Sequence, residues 1–319
     1  MLLPILAILV GFAMLIWSSD VFVDGASAIA RLLGVSPLII GITIVGFGTS
    51  APEMLISTFA ALDGAPAMAI GNAIGSNIAN IALVLGATAV ASVVAIESRL
   101  LRLEFPLLAA AMALGYFVIA DGVLNALDGA WLFITLFLIL GWLVRNAMND
   151  RDNTLQADES EKQLSAQQAI LYFIAGLTVL LASSKMLVWG ATEVASHFGV
   201  SELVIGLTIV AIGTSLPELA ASISSARKGE ADLAIGNVIG SNLFNILAVM
   251  AIPGLISVTK VPAAALSRDY PVMMALTIIM ILMAFRFGRE KATIGRLAGI
   301  GFLVAFFAYQ ILLFSGTGQ

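Results

Sequence analysis

The sequence has no cysteine. That excludes a disulfide framework and a thiolate metal site. It has one histidine, His197, beside an expected loop. Charge is scarce as well: 11% of the 319 residues are Asp, Glu, Lys or Arg, against about 25% in a soluble domain. A domain of this size needs a polar skin to dissolve, and this chain cannot supply one. What it has instead is apolar length. Hydrophobic residues make up 60% of it, in long runs from end to end, which is the pattern of a polytopic membrane protein. The N-terminal "MLLPILAILVGFAMLIW" has neither a basic n-region nor a small-residue cleavage site, so it reads as a first transmembrane helix rather than a signal peptide.

Ten spans are expected, at 2–30, 36–61, 67–93, 103–120, 127–146, 166–196, 201–225, 231–257, 270–286 and 294–315. Each allows the roughly 20 apolar residues a helix needs to cross the hydrocarbon, with room for tilt. The only sizeable polar stretch, "NAMNDRDNTLQADESEKQLSAQQ" at 146–168, separates two sets of five. The expected organisation is a first five-helix repeat at 1–146, a linker at 147–165 and a second five-helix repeat at 166–319. The acidic run "DESE" in the linker reads as solvated. With the N-terminus outside, 12 Lys and Arg face the cytoplasm, two (Lys260, Arg268) face outward, and Lys185 lies in or near a span. The opposite orientation reverses that bias, so N-out, C-out and a cytoplasmic linker in the cell membrane are expected.

The two sets are copies. Residues 41–86 lie on 206–251 at an offset of 165, without a gap, with 23 identities over 46 positions. Because each set has an odd number of spans, the second copy enters the membrane in the opposite sense. The fold class expected is therefore an all-α polytopic membrane protein of ten helices in two inverted five-helix repeats, with its site near the midplane between them. Asp20 and Lys185 are equivalent by the repeat and opposite in charge, but the inversion sends them to opposite ends, each toward its own interface. Asp24 and Glu193 read as interfacial.

Each copy buries a polar motif, "GTSAPE" at 48–53 and "GTSLPE" at 213–218. On a helix, Gly46, Thr49 and Glu53 share one face. Pro52 has no N–H and should disrupt the helix one turn back, freeing carbonyls that a bilayer tolerates only inside protein or at a watery cavity. A second motif, "GNAIGSNIAN" at 71–80, sets Asn72, Ser76 and Asn80 four apart. Its copy supplies Asn237, Ser241 and Asn245. Gly71/Gly75 and Gly236/Gly240 read as close-packing pairs, and Asn72 and Asn237 more as ties between helices than as ligands. The pooled oxygen donors are Glu53 and Glu218, the hydroxyls of Thr49, Ser50, Thr214, Ser215, Ser76 and Ser241, and the amides of Asn80 and Asn245. An all-oxygen set suits Ca²⁺, Na⁺ or Mg²⁺ rather than zinc or copper. An acidic residue at midplane costs about 2.5–3.5 kcal/mol on translocon scales. The pair should therefore hold cations or protons whenever it is shut from water, the physical basis of obligatory exchange.

The doubled pattern GTS-x-PE … GN-x-x-GSN-x-x-N resembles the two alpha repeats of the sodium/calcium exchangers, in the calcium/cation antiporter superfamily, as a prokaryotic-type member. The resemblance implies a Na⁺/Ca²⁺ antiporter that works by alternating access, exchanges three sodium ions for one calcium and is electrogenic. It implies that Glu53 and Glu218 are shared by calcium and sodium sites, and that Thr49 and Thr214 coordinate calcium and help hold sodium. Ser76 and Ser241 match serines at flanking sodium sites, with Ser50 and Ser215 nearby. Gly46 and Ala211 match positions lending backbone carbonyls, and Asn80 and Asn245 the polar pair at the middle of the site. Many members carry aspartate where Asn245 stands. Asparagine resembles the potassium-independent animal exchangers, so no K⁺ requirement is expected. The short linker leaves no room for their calcium-sensing module. Spans 1 and 6 are the moving gate by the same resemblance.

Proton-coupled Ca²⁺ exchange on the same scaffold is the alternative, since glutamates also carry protons. A membrane hydrolase built on Ser50 and Glu53 lacks an evident base at that depth, so an enzyme is not expected. A channel would show flux that neither saturates nor depends on a counter-ion. Apart from the transported Ca²⁺ and Na⁺ no cofactor is expected, and the only partner is the lipid bilayer, with no nucleic acid and no obligate protein partner.

Overall fold

The computed structural model describes residues 1–96, 103–149, 164–199, 211–284 and 292–316. The chain is helical almost throughout. The first repeat comprises α1 (Leu2–Leu33), α2 (Pro37–Ile40), α3 (Gly46–Thr49), α4 (Ala51–Leu62), α5 (Pro66–Ala79), α6 (Gly86–Ala91), α7 (Glu104–Ile119) and α8 (Ala126–Asn149). The second comprises α9 (Ala166–His197), α10 (Ala211–Thr214), α11 (Leu216–Arg227), α12 (Ala231–Phe244), α13 (Ala251–Ile256), α14 (Tyr270–Ala284) and α15 (Arg296–Gly316). Among the described residues, seven continuous helices are long and apolar enough to cross a membrane, and Pro37–Thr49 with Ala51–Leu62 forms an eighth span bent by 42°. Helix α7 is apolar but shorter, at 16 residues. Of the seventh expected span, 201–210 lie outside the described residues, as do 150–163 of the linker.

Span limits agree with the hydropathy reading within a few residues, with one difference. The ninth begins at Ala265 rather than 270, because the polar Arg268 and Asp269 pair with each other at 2.6 Å and so can enter the helix. Local chemistry explains several ends. Gly34 closes α1 in the left-handed conformation (φ 64), its N–H reaching back to Ala30 and Arg31. Ser165 and Gln168 form a reciprocal capping box on α9. Pro66 starts α5, where a missing N–H costs nothing.

The inversion is visible in α1 and α9, which occupy equivalent places in the two copies yet pack antiparallel. A Cβ on Gly11 would meet Leu187 at 3.0 Å, and one on Gly176 would meet Phe22 at 2.6 Å. Gly25 lies against the backbone of Phe173, and Gly190 against Ile8, with Cγ1 at 3.0 Å and N at 3.3 Å from a Cβ placed there. These contacts map onto one another at the offset of 165. The end where α1 finishes and α9 begins is called the linker end below.

Spans 66–91 and 231–256 form the interior: 78% and 83% of their central windows are buried, against 22–33% for the other continuous spans. Ile70, Ile74, Ile78, Ile235, Ile239 and Ile246 fill the space between them. Outer helices expose Phe12, Trp17, Phe117, Trp131 and Phe137, a surface suited to lipid and too apolar for water. Helix α12 lies backbone to backbone on the bent span. A Cβ on Gly236 would sit 2.5 Å from the Leu38 carbonyl, and Gly240 abuts Ile42. The Gly236/Gly240 pair therefore packs as expected. The positions that would face Gly71 and Gly75 lie outside the described residues.

Two features had no expectation in the sequence. Strand β1 (Val94–Ile96) pairs with β4 (Ala292–Ile294), and β2 (Val123–Leu124) with β3 (Thr259–Lys260), both antiparallel. Each two-stranded bridge joins a loop of one repeat to a loop of the other, one at either end of the molecule. Among the described residues, π-helical segments also occur at Gly41–Val45, Asn80–Leu85, Asn245–Val249 and Ala265–Asp269.

Candidate cation site

The helix breaks on which both motifs sit are alike. Ser50 (φ −84, ψ 1) and Ser215 (φ −89, ψ 4) interrupt their spans, and α4 and α11 restart at the next residue with proline in the first turn. The break thus lies two residues before Pro52, not a full turn back. Proline in a first turn is unstrained, and the interruption falls where its ring would otherwise crowd the preceding helix. Each restart places a glutamate in its own first turn, Glu53 and Glu218, where helix N–H groups favour an anion.

The two carboxylates are buried, 1% and 2% exposed, one on each repeat. Neither oxygen of Glu53, nor Oε2 of Glu218, receives a hydrogen bond from a described residue. Ser50 and Ser215 are buried with hydroxyls that have no partner among the described residues. Ser76 and Ser241 are also buried. Thr49 is fully buried, its hydroxyl 3.1 Å from the Val45 carbonyl, 3.0 Å from Asn237 Oδ1 and 3.3 Å from Ser241 Oγ. Thr214 is half-buried at the end of α10.

Gly46 opens α3, where a Cβ would meet the Gly240 backbone at 3.0 Å. Its carbonyl accepts from the Ser50 N–H at 3.1 Å, which leaves one lone pair. Ala211 opens α10. The prolines release the carbonyls of Gly48 and Gly213 from their usual donors. Ser184 of α9 takes the second at 2.8 Å, whereas its repeat mate Ser19 turns to Ile16 O.

Asn80 and Asn245 each open a π-helical segment. Such segments concentrate at functional sites because the wider turn re-aims a side chain. Both residues are 1% exposed. Nδ2 of Asn80 and both amide atoms of Asn245 have no partner among the described residues. Asn77 and Asn242, which sequence reasoning passed over, are equally buried with both amide atoms unpartnered; their signal was the repeated "GSN". Asn72 and Asn237 tie helices as expected. Nδ2 of Asn72 donates to Glu53 O (3.1 Å) and Ser57 Oγ (3.0 Å), and Nδ2 of Asn237 to Glu218 O (3.2 Å) and Ser222 Oγ (2.9 Å).

The arrangement joins Thr49 of the first repeat to Asn237 and Ser241 of the second, beside Glu218, and buries two carboxyl groups, one from each of two inverted repeats. The family model described as sodium/calcium exchanger protein matches residues 3–145 and 168–315. The chain belongs to the sodium/calcium exchanger family. This exchanger is 50% identical to the putative antiporter CaxA of Alkalimonas amylolytica over 99% of this chain and 100% of the relative. It is 39% identical to inner membrane protein YrbG of Escherichia coli K12, over 95% and 96%, and 30% identical to the sodium/calcium exchanger MaX1 of Methanosarcina acetivorans, over 97% and 98%. Among solved structures it superposes with a TM-score of 0.85 and 32% identity on the sodium-calcium exchanger NCX_Mj soaked with zero Na⁺ and Ca²⁺, covering 98% of this chain and 99% of that one. The exchanger is thus a multi-pass membrane antiporter and not an enzyme.

At the linker end, Asp20 accepts from Ser224 Oγ, and Lys228 reaches Asp20 O (2.9 Å) and Asp24 Oδ1 (2.6 Å). Arg31 and Glu230 pair at 3.6 Å. Asp20 and Asp24 therefore join a polar seam rather than standing alone at an interface. Asp20 makes no ion pair with Lys185, consistent with their placement toward opposite ends.

Proposed function

We propose that this antiporter expels Ca²⁺ from the cell in exchange for entering Na⁺. The observation that carries the reading is the pair Glu53 and Glu218, one from each repeat, both buried, with three of their four carboxyl oxygens bonded by no described residue. Two desolvated anions so short of donors are stable only with cations or protons on them, so the carrier changes sides loaded. Two carboxylates match the charge of one divalent ion. The neutral oxygens around them then complete a hard-cation shell: the hydroxyls of Thr49, Thr214, Ser50, Ser215, Ser76 and Ser241, the amides of Asn80 and Asn245, and the carbonyls of Gly46 and Ala211. The hydroxyls favour Na⁺ over H⁺ as the coupling ion, because a proton needs no such cage. With Asn245 in place of a carboxylate, transport is independent of K⁺. Exchange of three Na⁺ for one Ca²⁺ would move net charge. Both termini face outward and the linker faces the cytoplasm, from the distribution of Lys and Arg.

The test is uptake of radiolabelled Ca²⁺ into proteoliposomes loaded with Na⁺ and diluted into Na⁺-free buffer, with pH clamped and choline-loaded vesicles as the control. Uptake only with Na⁺ inside, unchanged by K⁺, supports the reading. Uptake that ignores Na⁺ and appears with an acid interior moves the coupling ion to H⁺.

A further inference from the structure

Asn237 makes one more bond than a helix tie needs. Its Nδ2 faces two acceptors, the Glu218 carbonyl and Ser222 Oγ, and its Oδ1 lies 3.0 Å from the hydroxyl of Thr49. A carbonyl cannot donate, so the amide orientation is set: nitrogen toward Glu218, oxygen toward Thr49. Oδ1 only accepts, so Thr49 is the donor. The residue is 1% exposed and Thr49 fully buried, so water does not compete.

A hydroxyl has one proton and two lone pairs. It ligates a cation only when its proton points elsewhere. The Glu218 carboxylate also competes for this proton, but a cation bound to that carboxylate would repel it. Three acceptors then remain: the Val45 carbonyl within the same span at 3.1 Å and, across the repeat boundary, Ser241 Oγ at 3.3 Å and Asn237 Oδ1 at 3.0 Å, the nearest of the three and the one that the rest of its amide holds in place.

We infer that Asn237 is a positioning residue for the cation site: it takes the Thr49 proton, turns the lone pairs of that oxygen toward the ion, and through Glu218 O holds Thr49 and Glu218 at a common spacing. This rests on the proposed ligand role of Thr49 and Glu218, and extends it to a residue that touches no ion. It also couples the repeats, since Thr49 comes from the first and Asn237 from the second.

The experiment is a double-mutant cycle read by equilibrium binding of radiolabelled Ca²⁺ to the purified full-length protein in Na⁺-free detergent solution. Binding does not depend on which ion is exchanged, so a failure of Na⁺ coupling in vesicles stays separate from a failure here. Thr49→Val and Asn237→Leu should each weaken Ca²⁺ binding about tenfold, the worth of one hydrogen bond to a charged centre. The double variant should also be about tenfold weaker, because the second change removes an acceptor whose donor is already gone. A purely structural tie would instead multiply the losses to about 100-fold, and that overturns the inference. So does an Asn237→Leu protein that binds within about twofold of the parent. Asn237→Ala replaces the leucine variant if the latter is not monodisperse. If neither is, Asn237 is a packing residue and the positioning role is wrong.

Discussion

At the linker end, α1 lies along α11, with Asp20 and Asp24 bonded to Ser224 and Lys228. At the opposite end, the positions matching that contact are Lys185 and Trp189 on α9 and Phe59 and Asp63 on and just beyond α4. They do not meet: α9 makes no comparable packing against α4, and Phe59 is 59% exposed. Yet α1 and α9 obey the repeat toward each other, glycine for glycine. The symmetry is therefore kept within the α1–α9 pair and broken between the pair and the rest of the molecule. A rigid pair seated against one end of a two-fold scaffold has a second, equivalent seat at the other end. Moved there, the pair would bring Lys185 toward Phe59 and Trp189 toward Asp63, by the offset of 165. The formed seam is made of an ion pair and a hydroxyl, whereas the matching positions carry a lysine, two aromatic rings and an aspartate, so the two ends are unequal in chemistry.

The largest effect concerns the centre, where both seats share one site. Glu53→Gln and Glu218→Gln should each lower Ca²⁺ uptake by more than about 100-fold, since removing one member of a buried charge set costs about 3–5 kcal/mol. Equal losses would place the cation on the two-fold axis. A tenfold difference between the variants would show that the site shares the asymmetry of the seams.

Next come the glycines. Gly25→Ala and Gly190→Ala put a methyl group against backbone of the opposing helix, and each should destabilise the protein by about 1–3 kcal/mol. Gly11→Ala meets a leucine side chain at 3.0 Å, which can move, and should cost less. Thermal unfolding in detergent ranks them. If Gly25→Ala and Gly190→Ala differ widely in Tm, the pair is not the symmetric unit described.

The asymmetry can be caught by cross-linking, helped by the absence of native cysteine. Cysteines at Asp20 and Ser224, whose side chains touch, should form a disulfide at least about tenfold faster than cysteines at Lys185 and Phe59, because a disulfide requires Cβ atoms about 3.5–4.5 Å apart. Equal rates in the ion-free protein would mean that the two seats are equally populated.

Much of this was legible in the sequence, for reasons that also mark where legibility stops. Scarcity of charge sets the class, and spans follow from length. The offset of 165 reveals two copies, their odd number of helices inverts them, and carboxylates at that depth stand out against 60% hydrophobic composition. The π-helical turns at Asn80 and Asn245 left no trace, because one extra residue in a turn has no compositional signature. The β bridges are two or three residues long, below any periodicity. Asn237 appeared as one residue of a polar stripe, since spacing gives the face of a helix and not what lies across from it. Nor could a doubled sequence show which seat the α1–α9 pair takes, because both copies encode both seats.

The smallest effect tests what holds the pair in place. Lys228 and Asp24 are 29% and 49% exposed at the side chain, so water screens them and the pair contributes about 0–1 kcal/mol. Lys228→Ala should therefore shift the balance between seats by no more than about fivefold. The rate of cross-linking between cysteines at Lys185 and Phe59 reads that shift directly, because it tracks the population seated at the far end. It should rise up to about fivefold in the alanine variant, and the gap between variant and parent should close in about 1 M choline chloride, where the Debye length falls to roughly 3 Å. A rise that survives salt would assign the seam to the packing of α1 on α11 and not to its charges. No rise at all would leave Ser224 and Asp20 as the contact that sets the seat.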